Sequence, residues 1–297
     1  MNPRLAGWRP WLGPAVSLLV FGLVLALLHH ELAGHTWRDV LRHLRELQPG
    51  ELVAAVACTA GSYAALAFIE ALAVRYVGRD LPWRVSTATS FVSYAVGYNI
   101  GLAALSGSAV RLRLYAARGL AAADIAVVSG FCALATLGGL LVVSAYALLL
   151  EPGEAGVVLH LDPGLARAAG GLLVLPLLAY LAWAAFGRQP LVVRTWQLPV
   201  PGLGIAVPQL VASVIDLALA AAVLYVLLPD SAELTYGAFL AVFALAAVAA
   251  AVTGIPGGLG VIEYVVVLAL PGVPAAELLG RLLAFRLIYY VVPLIVA

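Results

Sequence analysis

The chain has no lysine: all 16 of its basic residues are arginine, which reads as coding bias. Charge of either sign is scarce, at 10% of 297 residues, where a soluble domain carries about a quarter. The net charge is +1, so no basic field exists to attract a polyanion, and a nucleic-acid binder is excluded. Cysteine is limited to Cys58 and Cys132, both inside apolar stretches. Two cysteines make no disulfide framework and show no metal-ligand spacing; they read as small buried hydrophobes. The five histidines (29, 30, 35, 43 and 160) lie in or beside loops, and no nucleophile elbow occurs. Metal and nucleophilic catalysis find no support in such a pattern. What is abundant is apolar: 64% of residues are hydrophobic and the mean hydropathy is +1.06, against about 45–50% apolar in a soluble domain. That excludes a soluble enzyme and a disordered chain. Glycine (29) and proline (17) are frequent; in membrane helices they mark close packing or broken helices.

An apolar run of about 20 residues crosses a bilayer as a helix. Such runs cover 14–28, 52–77, 86–101, 125–150, 165–186, 205–228, 236–253 with its continuation 261–270, and 278–297. The first resembles a signal peptide, but His29-His30-Glu31 behind it offers no small-residue cleavage site, so it reads as an uncleaved anchor. Between the first two runs, Trp37, Val40, Leu41, Leu44 and Leu47 follow helical spacing opposite Arg38, Arg42 and Arg45. That predicts an amphipathic interfacial helix over 36–48. The expected class is an all-α polytopic membrane protein of about eight membrane segments.

Arginines place the N-terminus and segments 75–84, 111–118 and 188–204 in the cytoplasm, and the acidic loops 151–162 and 230–233 outside. The interfacial segment runs against this rule, with three Arg on the outer side. Since 75–84 and 111–118 lie on one side, the stretch 86–118 must enter and leave there. It is predicted to be a re-entrant or broken pair. The stretch 236–270, interrupted by Thr-Gly-Ile-Pro-Gly-Gly-Leu-Gly at 253–260, is predicted to do the same from the opposite face. Two broken hairpins of opposite entry point to an inverted repeat, whose broken elements build a substrate site in transporters. Arg118-Gly-Leu-Ala-Ala-Ala-Asp and Pro271-Gly-Val-Pro-Ala-Ala-Glu agree as weak internal similarity.

Ionisable groups within a membrane are functional candidates by default. Glu70 lies deep in the second run with Tyr63 on its face; Gln209, Ser213 and Asp216 make one polar stripe; Glu263 follows the glycine-rich break; Arg286 precedes Tyr289 and Tyr290. Thr87, Ser90, Tyr94, Gly97 and Gly101 share a face, with Asn99 beside it. Arg111, Tyr115 and Arg118 share another, and Arg113 points elsewhere. Two readings stand side by side. Glu70 with an arginine, and Glu263 with Arg286, are ion pairs that lock helices, or they serve a ligand. Arg111 near the first break suits a phosphate. Asp216 also fits a plain helix–helix seam. The glycine cluster is no dinucleotide fingerprint, since no strand precedes it.

Three blocks carry a resemblance: SFVSYAVGYNIGLAALSGSAVRLRLY at 90–115, IPGGLGVIE at 255–263 and FRLIYYVVPL at 285–294. Together they resemble the N-terminal membrane part of the lysyl-phosphatidylglycerol synthase/flippase (multiple peptide resistance factor) family, over nearly the whole chain. The resemblance implies a module that moves lysyl- or alanyl-phosphatidylglycerol from the inner to the outer leaflet of the bacterial cytoplasmic membrane, protecting the cell from cationic antimicrobial peptides. In the family, further membrane helices and a cytosolic domain make the lipid from aminoacyl-tRNA. The family's acidic residue of the second span maps to Glu70, where Ile69-Glu70 departs from a common Tyr-Asp. Its arginine after the Ser-Gly turn maps to Arg111 or Arg113, its acid after Pro-Gly-Gly to Glu263, and its last-span arginine to Arg286.

The expectation is therefore a single transmembrane flippase domain over 1–297, with the N-terminus cytoplasmic and no cytosolic synthase domain. The chain stops at Ala297 inside an apolar helix, which points to a segment of a longer protein. Its partners are a phospholipid substrate and the bilayer, with no nucleic acid, metal or cofactor; a homo-oligomer is left open. The head-group residues expected are Glu70, Asn99, Arg111, Arg113, Tyr115, Asp216, Glu263 and Arg286, with Gly101, Gly107, Gly254, Pro256, Gly257, Gly258 and Gly260 breaking the helices. No nucleotide motif occurs, so a gradient or the lipid's own concentration difference must drive movement. Three rivals remain: the membrane half of a phosphatidylglycerol lysyltransferase, a flippase for another anionic lipid such as a polyprenyl phosphate, and a scaffold that anchors a partner.

Overall fold

The computed structural model describes residues 46–297 except 101–102, 188–190, 194–195, 199, 230–231 and 233. The anchor at 14–28, Gly101 and all but the last three residues of the expected interfacial helix lie outside them. Those three, Glu46–Gln48, form a turn that leads into the first helix.

Helix α1 spans Pro49–Tyr76. Proline at its first position costs no hydrogen bond, and Glu51 reaches back to accept the Gln48 amide at 2.8 Å. Helices α2 (Trp83–Ile100) and α3 (Ala103–Ala116) follow, and α3 packs back along α2. Helix α4 covers Ala122–Leu150. The expected acidic loop 151–162 contains a short helix, α5 (Pro152–Leu159), started by Pro152. Asp162 then caps α6 (Pro163–Phe186) by accepting the amides of Gly164 and Leu165. A ribbon of two three-residue strands, β1 (Leu191–Val193) and β2 (Trp196–Leu198), is the exception to the all-α expectation.

The second half repeats the plan of the first. Helix α7 spans Leu203–Tyr225 and α8 spans Tyr236–Thr253. A 3-10 turn at Pro256–Gly258 separates α8 from α9 (Val261–Ala269), which packs back on α8. Helix α10 (Ala275–Arg286) continues through a π segment, Leu287–Val291, into α11 (Val292–Val296). Both halves thus read long helix, broken hairpin, long helix. The return arms have 14 and 9 residues. At about 1.5 Å per residue, neither reaches across a hydrocarbon core of about 30 Å. Six helices among the described residues are long and apolar enough to cross: α1, α4, α6, α7, α8 and Ala275–Val296. The protein is an all-α polytopic membrane protein.

Each half has its own core. Tyr63, Tyr94, Tyr115, Phe131 and Cys132 lie in the first, and Phe239, Phe243, Phe285 and Tyr289 in the second. The halves join where α1 lies against α7. Small residues allow this close approach: a Cβ on Gly61 would stand 2.9 Å from Leu219, and one on Gly139 of α4 would stand 2.8 Å from the Ser213 carbonyl of α7. Helix α6 sits outermost, with Leu172 65% and Phe186 80% exposed. An apolar surface of that kind suits lipid.

Candidate functional site

The first predicted constellation assembles around Glu70, which is fully buried in α1. Arg111, on the return arm α3, grips it with a fork: Nε donates to Oε1 at 3.0 Å and to Oε2 at 2.9 Å, and Nη2 donates to Oε2 at 2.7 Å. Tyr115, one helical turn on, donates its hydroxyl to Oε1 at 2.9 Å. Cys132 of α4 donates its thiol to Oε2 at 3.4 Å, so this cysteine is more than the buried hydrophobe expected. Arg111 also lies 5.0 Å over the ring of Tyr94. Its remaining nitrogen, Nη1, donates no hydrogen bond among the described residues. Arg113 and Arg118 are exposed, so Arg118 parts company with the Arg111–Tyr115 face where α3 ends. Gly107 lets the arms close up, since a Cβ there would stand 3.2 Å from the Ser93 carbonyl.

The second constellation is built around the broken turn. Gly254, Gly257, Gly258 and Gly260 all have positive φ, between 57° and 80°, a region glycine enters without steric cost. Pro256 opens the 3-10 turn. Glu263 accepts the Gly260 amide at 2.8 Å and so caps α9. Arg286 binds the same carboxylate through Nε at 2.7 Å and Nη2 at 3.0 Å. It also donates to the carbonyls of Gly257 and Gly258. One arginine therefore clamps the acid and the turn that precedes it.

The turn of the second hairpin meets the end of α2 beside α10. A Cβ on Gly257 would stand 3.3 Å from the Tyr98 carbonyl of α2. Asn99 donates to its own helix at Ala95 and, at 3.1 Å, to the carbonyl of Tyr290. That carbonyl belongs to the π segment, a rare form that is frequent at functional sites. Tyr63 serves the neighbouring Tyr289 carbonyl at 3.4 Å.

Between the hairpins, α4, α7 and α8 lies a cavity of ≈ 440 Å³. That falls within the range of ligand sites, about 300–1,000 Å³. Tyr94, Tyr98, Tyr289 and Tyr290 line it together with Arg111 and Asp216. The hydroxyls of Tyr94 and Ser129 also lie in this wall, with no hydrogen-bond partner among the described residues. Of the expected polar stripe, Gln209 is engaged by Tyr180 and donates to the Phe131 carbonyl, and Ser213 donates to the Gln209 carbonyl. Asp216 differs. Its Oδ1 accepts from Ser62 of α1 at 2.5 Å, and no cation faces it among the described residues. It lies both on the seam with α1 and at the cavity.

Sequence reasoning missed three features. Ser62 lies two turns before Glu70 on α1, a spacing that was open to notice. Tyr98 lies beside, not on, the Tyr94–Gly97–Gly101 face that the helical spacing singled out. Arg281 meets Glu51 at 3.1 Å, and nothing in the sequence paired residues at opposite ends of the chain.

Two hairpins thus close on a mostly apolar cavity that Arg111 and Asp216 reach. Residues 11–297 match the family model described as the lysylphosphatidylglycerol synthase TM region, and the chain belongs to that family. It is 35% identical over 282 residues to the uncharacterized protein slr0712 of Synechocystis, covering 94% of this chain and 87% of the relative. It is 26% identical over 265 residues to the inner membrane protein YbhN of Escherichia coli, covering 88% and 82%. A shorter match, 41% over 68 residues, joins it to phosphatidylglycerol lysyltransferase of Staphylococcus aureus, covering 22% of this chain and 8% of that protein.

Proposed function

We propose that this protein carries aminoacylated phosphatidylglycerol, with a lysyl or alanyl group, from the inner to the outer leaflet of a bacterial cytoplasmic membrane. The N-terminus is then cytoplasmic, residues 1–297 work as one domain, and the two hairpins are re-entrant from opposite faces. The observation that carries this reading is the cavity's pair of opposite unmet demands. Arg111 presents a nitrogen that Glu70 does not use, and Asp216 presents a carboxyl group without a cation. An aminoacylated phospholipid offers the converse pair, a phosphate and an ammonium group. Guanidinium–phosphate contact is among the stronger charge-assisted bonds, and tyrosine faces attract ammonium ions.

The roles sort accordingly. Arg111 meets the phosphate and Asp216 the ammonium. Glu70 and Glu263 are saturated by their arginines and by hydroxyl or amide donors, so they position Arg111 and the hairpin turn. Asn99 holds the first hairpin tip against α10, and Tyr115 fixes Glu70. Arg113 stands outside the cavity and serves the water-facing end of α3. Acyl tails stay in lipid while the head group passes through the cavity. Moving the amine outward lowers the negative surface charge and weakens the grip of cationic antimicrobial peptides.

Proteoliposomes with fluorescent lysyl-phosphatidylglycerol or plain phosphatidylglycerol, and a membrane-impermeant quencher, test this. Protein-dependent loss of protection is expected for the aminoacylated lipid, faster than for the plain one. Equal rates for both would leave a carrier of anionic lipids that does not read the amine. No transfer of either lipid by folded protein would overturn the reading.

A further inference from the structure

Four acids of the long and broken helices are treated unequally. Glu51, Glu70 and Glu263 each close on an arginine. Asp216 closes on a serine hydroxyl alone. Because Ser62 gives its hydrogen to Asp216 Oδ1, the 2.9 Å contact between Ser62 and Tyr289 must have the Tyr289 hydroxyl as donor. The chain Tyr289–Ser62–Asp216 thus fixes Oδ1 and leaves Oδ2 without a hydrogen bond among the described residues.

The groups around Asp216 bring no compensating charge. From α1 come Ser62 and Tyr63, from α2 Tyr94 and Tyr98, and from α10 and its π segment Tyr289 and Tyr290. Helix α4 offers the Cys132 thiol, and α8 offers only Phe243 and small apolar residues. On α6, Tyr180 is taken up by Gln209. Arg111 and Arg286 are neutralised by Glu70 and Glu263. The fixed charge of the cavity is therefore that of one carboxylate. Asp216 is half-buried against this mostly apolar cavity, where a carboxylate without a counter-charge is unfavourable and takes a proton or a cation. No cluster of three His, Cys, Asp or Glu side chains exists among the described residues to hold a metal ion.

We propose that Asp216 is a one-cation exchange site, occupied in turn by a proton and by the ammonium group of the substrate. This rests on the amine-carrying reading above. In the empty cavity Asp216 is a neutral acid. When an ammonium group arrives from the cytoplasmic side, the acid O–H bond breaks, its proton leaves to cytoplasmic water, and the carboxylate pairs with the amine. On the outer side the amine departs and a proton from outside re-forms the O–H bond. One proton moves inward for each ammonium carried outward, so an acidic exterior drives the lipid toward the outer leaflet.

Infrared spectroscopy of the full chain in nanodiscs tests the site. A protonated-carboxyl band is expected in phosphatidylglycerol discs, absent from Asp216→Asn and lost when lysyl-phosphatidylglycerol is added. Ser62→Ala keeps the acid but removes its donor, so it must shift the band; the assignment then does not depend on Asp216→Asn folding. In proteoliposomes with the membrane potential clamped at zero, a gradient of one pH unit must shift the final leaflet ratio of lysyl-phosphatidylglycerol about tenfold, as one-for-one exchange requires. Lipid movement with a ratio indifferent to pH, or set by sodium, overturns the exchange and leaves the carrier reading standing. If no lipid moves, the carrier reading fails, and the infrared result decides this proposal alone. A band lost with the amine upholds the exchange site; a missing band, or one that ignores the amine, overturns it.

Discussion

The two hairpins use the same pair of residue types to different ends. In the first, the acid sits on the long helix and the arginine on the return arm, and every hydrogen bond between them is side chain to side chain. In the second, the acid sits on the return arm and the arginine on the closing helix, and both also bind backbone: the Gly260 amide and the carbonyls of Gly257 and Gly258. The first pair joins finished helices. The second braces a glycine-rich 3-10 turn whose own bonds run from the Gly258 and Leu259 amides to the Ile255 and Pro256 carbonyls. A buried ion pair is thus a replaceable contact in one half and a structural clip in the other.

That contrast is exposed most sharply by removing the clip. Arg286→Met leaves Glu263 without its cation and takes the donor from two interior carbonyls, and a loss of about 3–5 kcal/mol is expected in denaturant unfolding of the detergent-solubilised protein. Adding Glu263→Met does not restore it, because the turn's backbone groups stay unmet. In the first half, Glu70→Gln with Arg111→Met keeps an acceptor for Tyr115 and stays within about 1–2 kcal/mol of the parent, yet lipid transfer is lost. Equal losses from the two double variants would erase the distinction.

Glycine substitutions sharpen it next. A Cβ at Gly258 would stand 2.6 Å from Ala250, at a φ of +59°. Gly258→Ala should cost about 2–4 kcal/mol by overpacking and backbone strain. Gly107 of the first hairpin is helical with a 3.2 Å neighbour, and its alanine variant should cost less than about 1 kcal/mol. Melting temperatures of the two, side by side, check the order.

Smaller again is the link between the hairpins. Asn99→Ala removes one hydrogen bond to the π segment, worth about 0.5–1.5 kcal/mol. It is expected to slow lipid transfer more than it lowers stability, because the contact ties a hairpin tip to the cavity wall. The smallest effect belongs to Arg113→Gln. Its side chain is exposed, and the change should stay within about 0.5 kcal/mol with transfer unaltered. A strong transport defect would put Arg113, not Arg111, at the phosphate.

Much of this was legible in the chain. Apolar length alone gave the long helices to within a few residues, and glycine density marked the second break. The Glu263–Arg286 pairing was open to inference because each lies inside an apolar run. Glu70 was expected to pair with an arginine, and helical spacing favoured Arg111 over Arg113 while the family resemblance left the two open; the direction of α3 decided between them. Tyr98 and the Glu51–Arg281 contact stayed hidden. Helices that are apolar all round carry no periodic stripe to say which face turns inward.

The sequence by itself determined the membrane class, the order of long and broken helices, and the supply of charges that had to be reconciled inside lipid. Those follow from composition and local chain chemistry, which act within a few residues. Only the tertiary structure decided which charges cancel. Glu70 finds Arg111 at a separation of 41 residues and Glu263 finds Arg286 at 23, while Asp216 finds only Ser62, 154 residues away. Pairing of that kind is set by how helices lie against one another, which local chain chemistry does not encode.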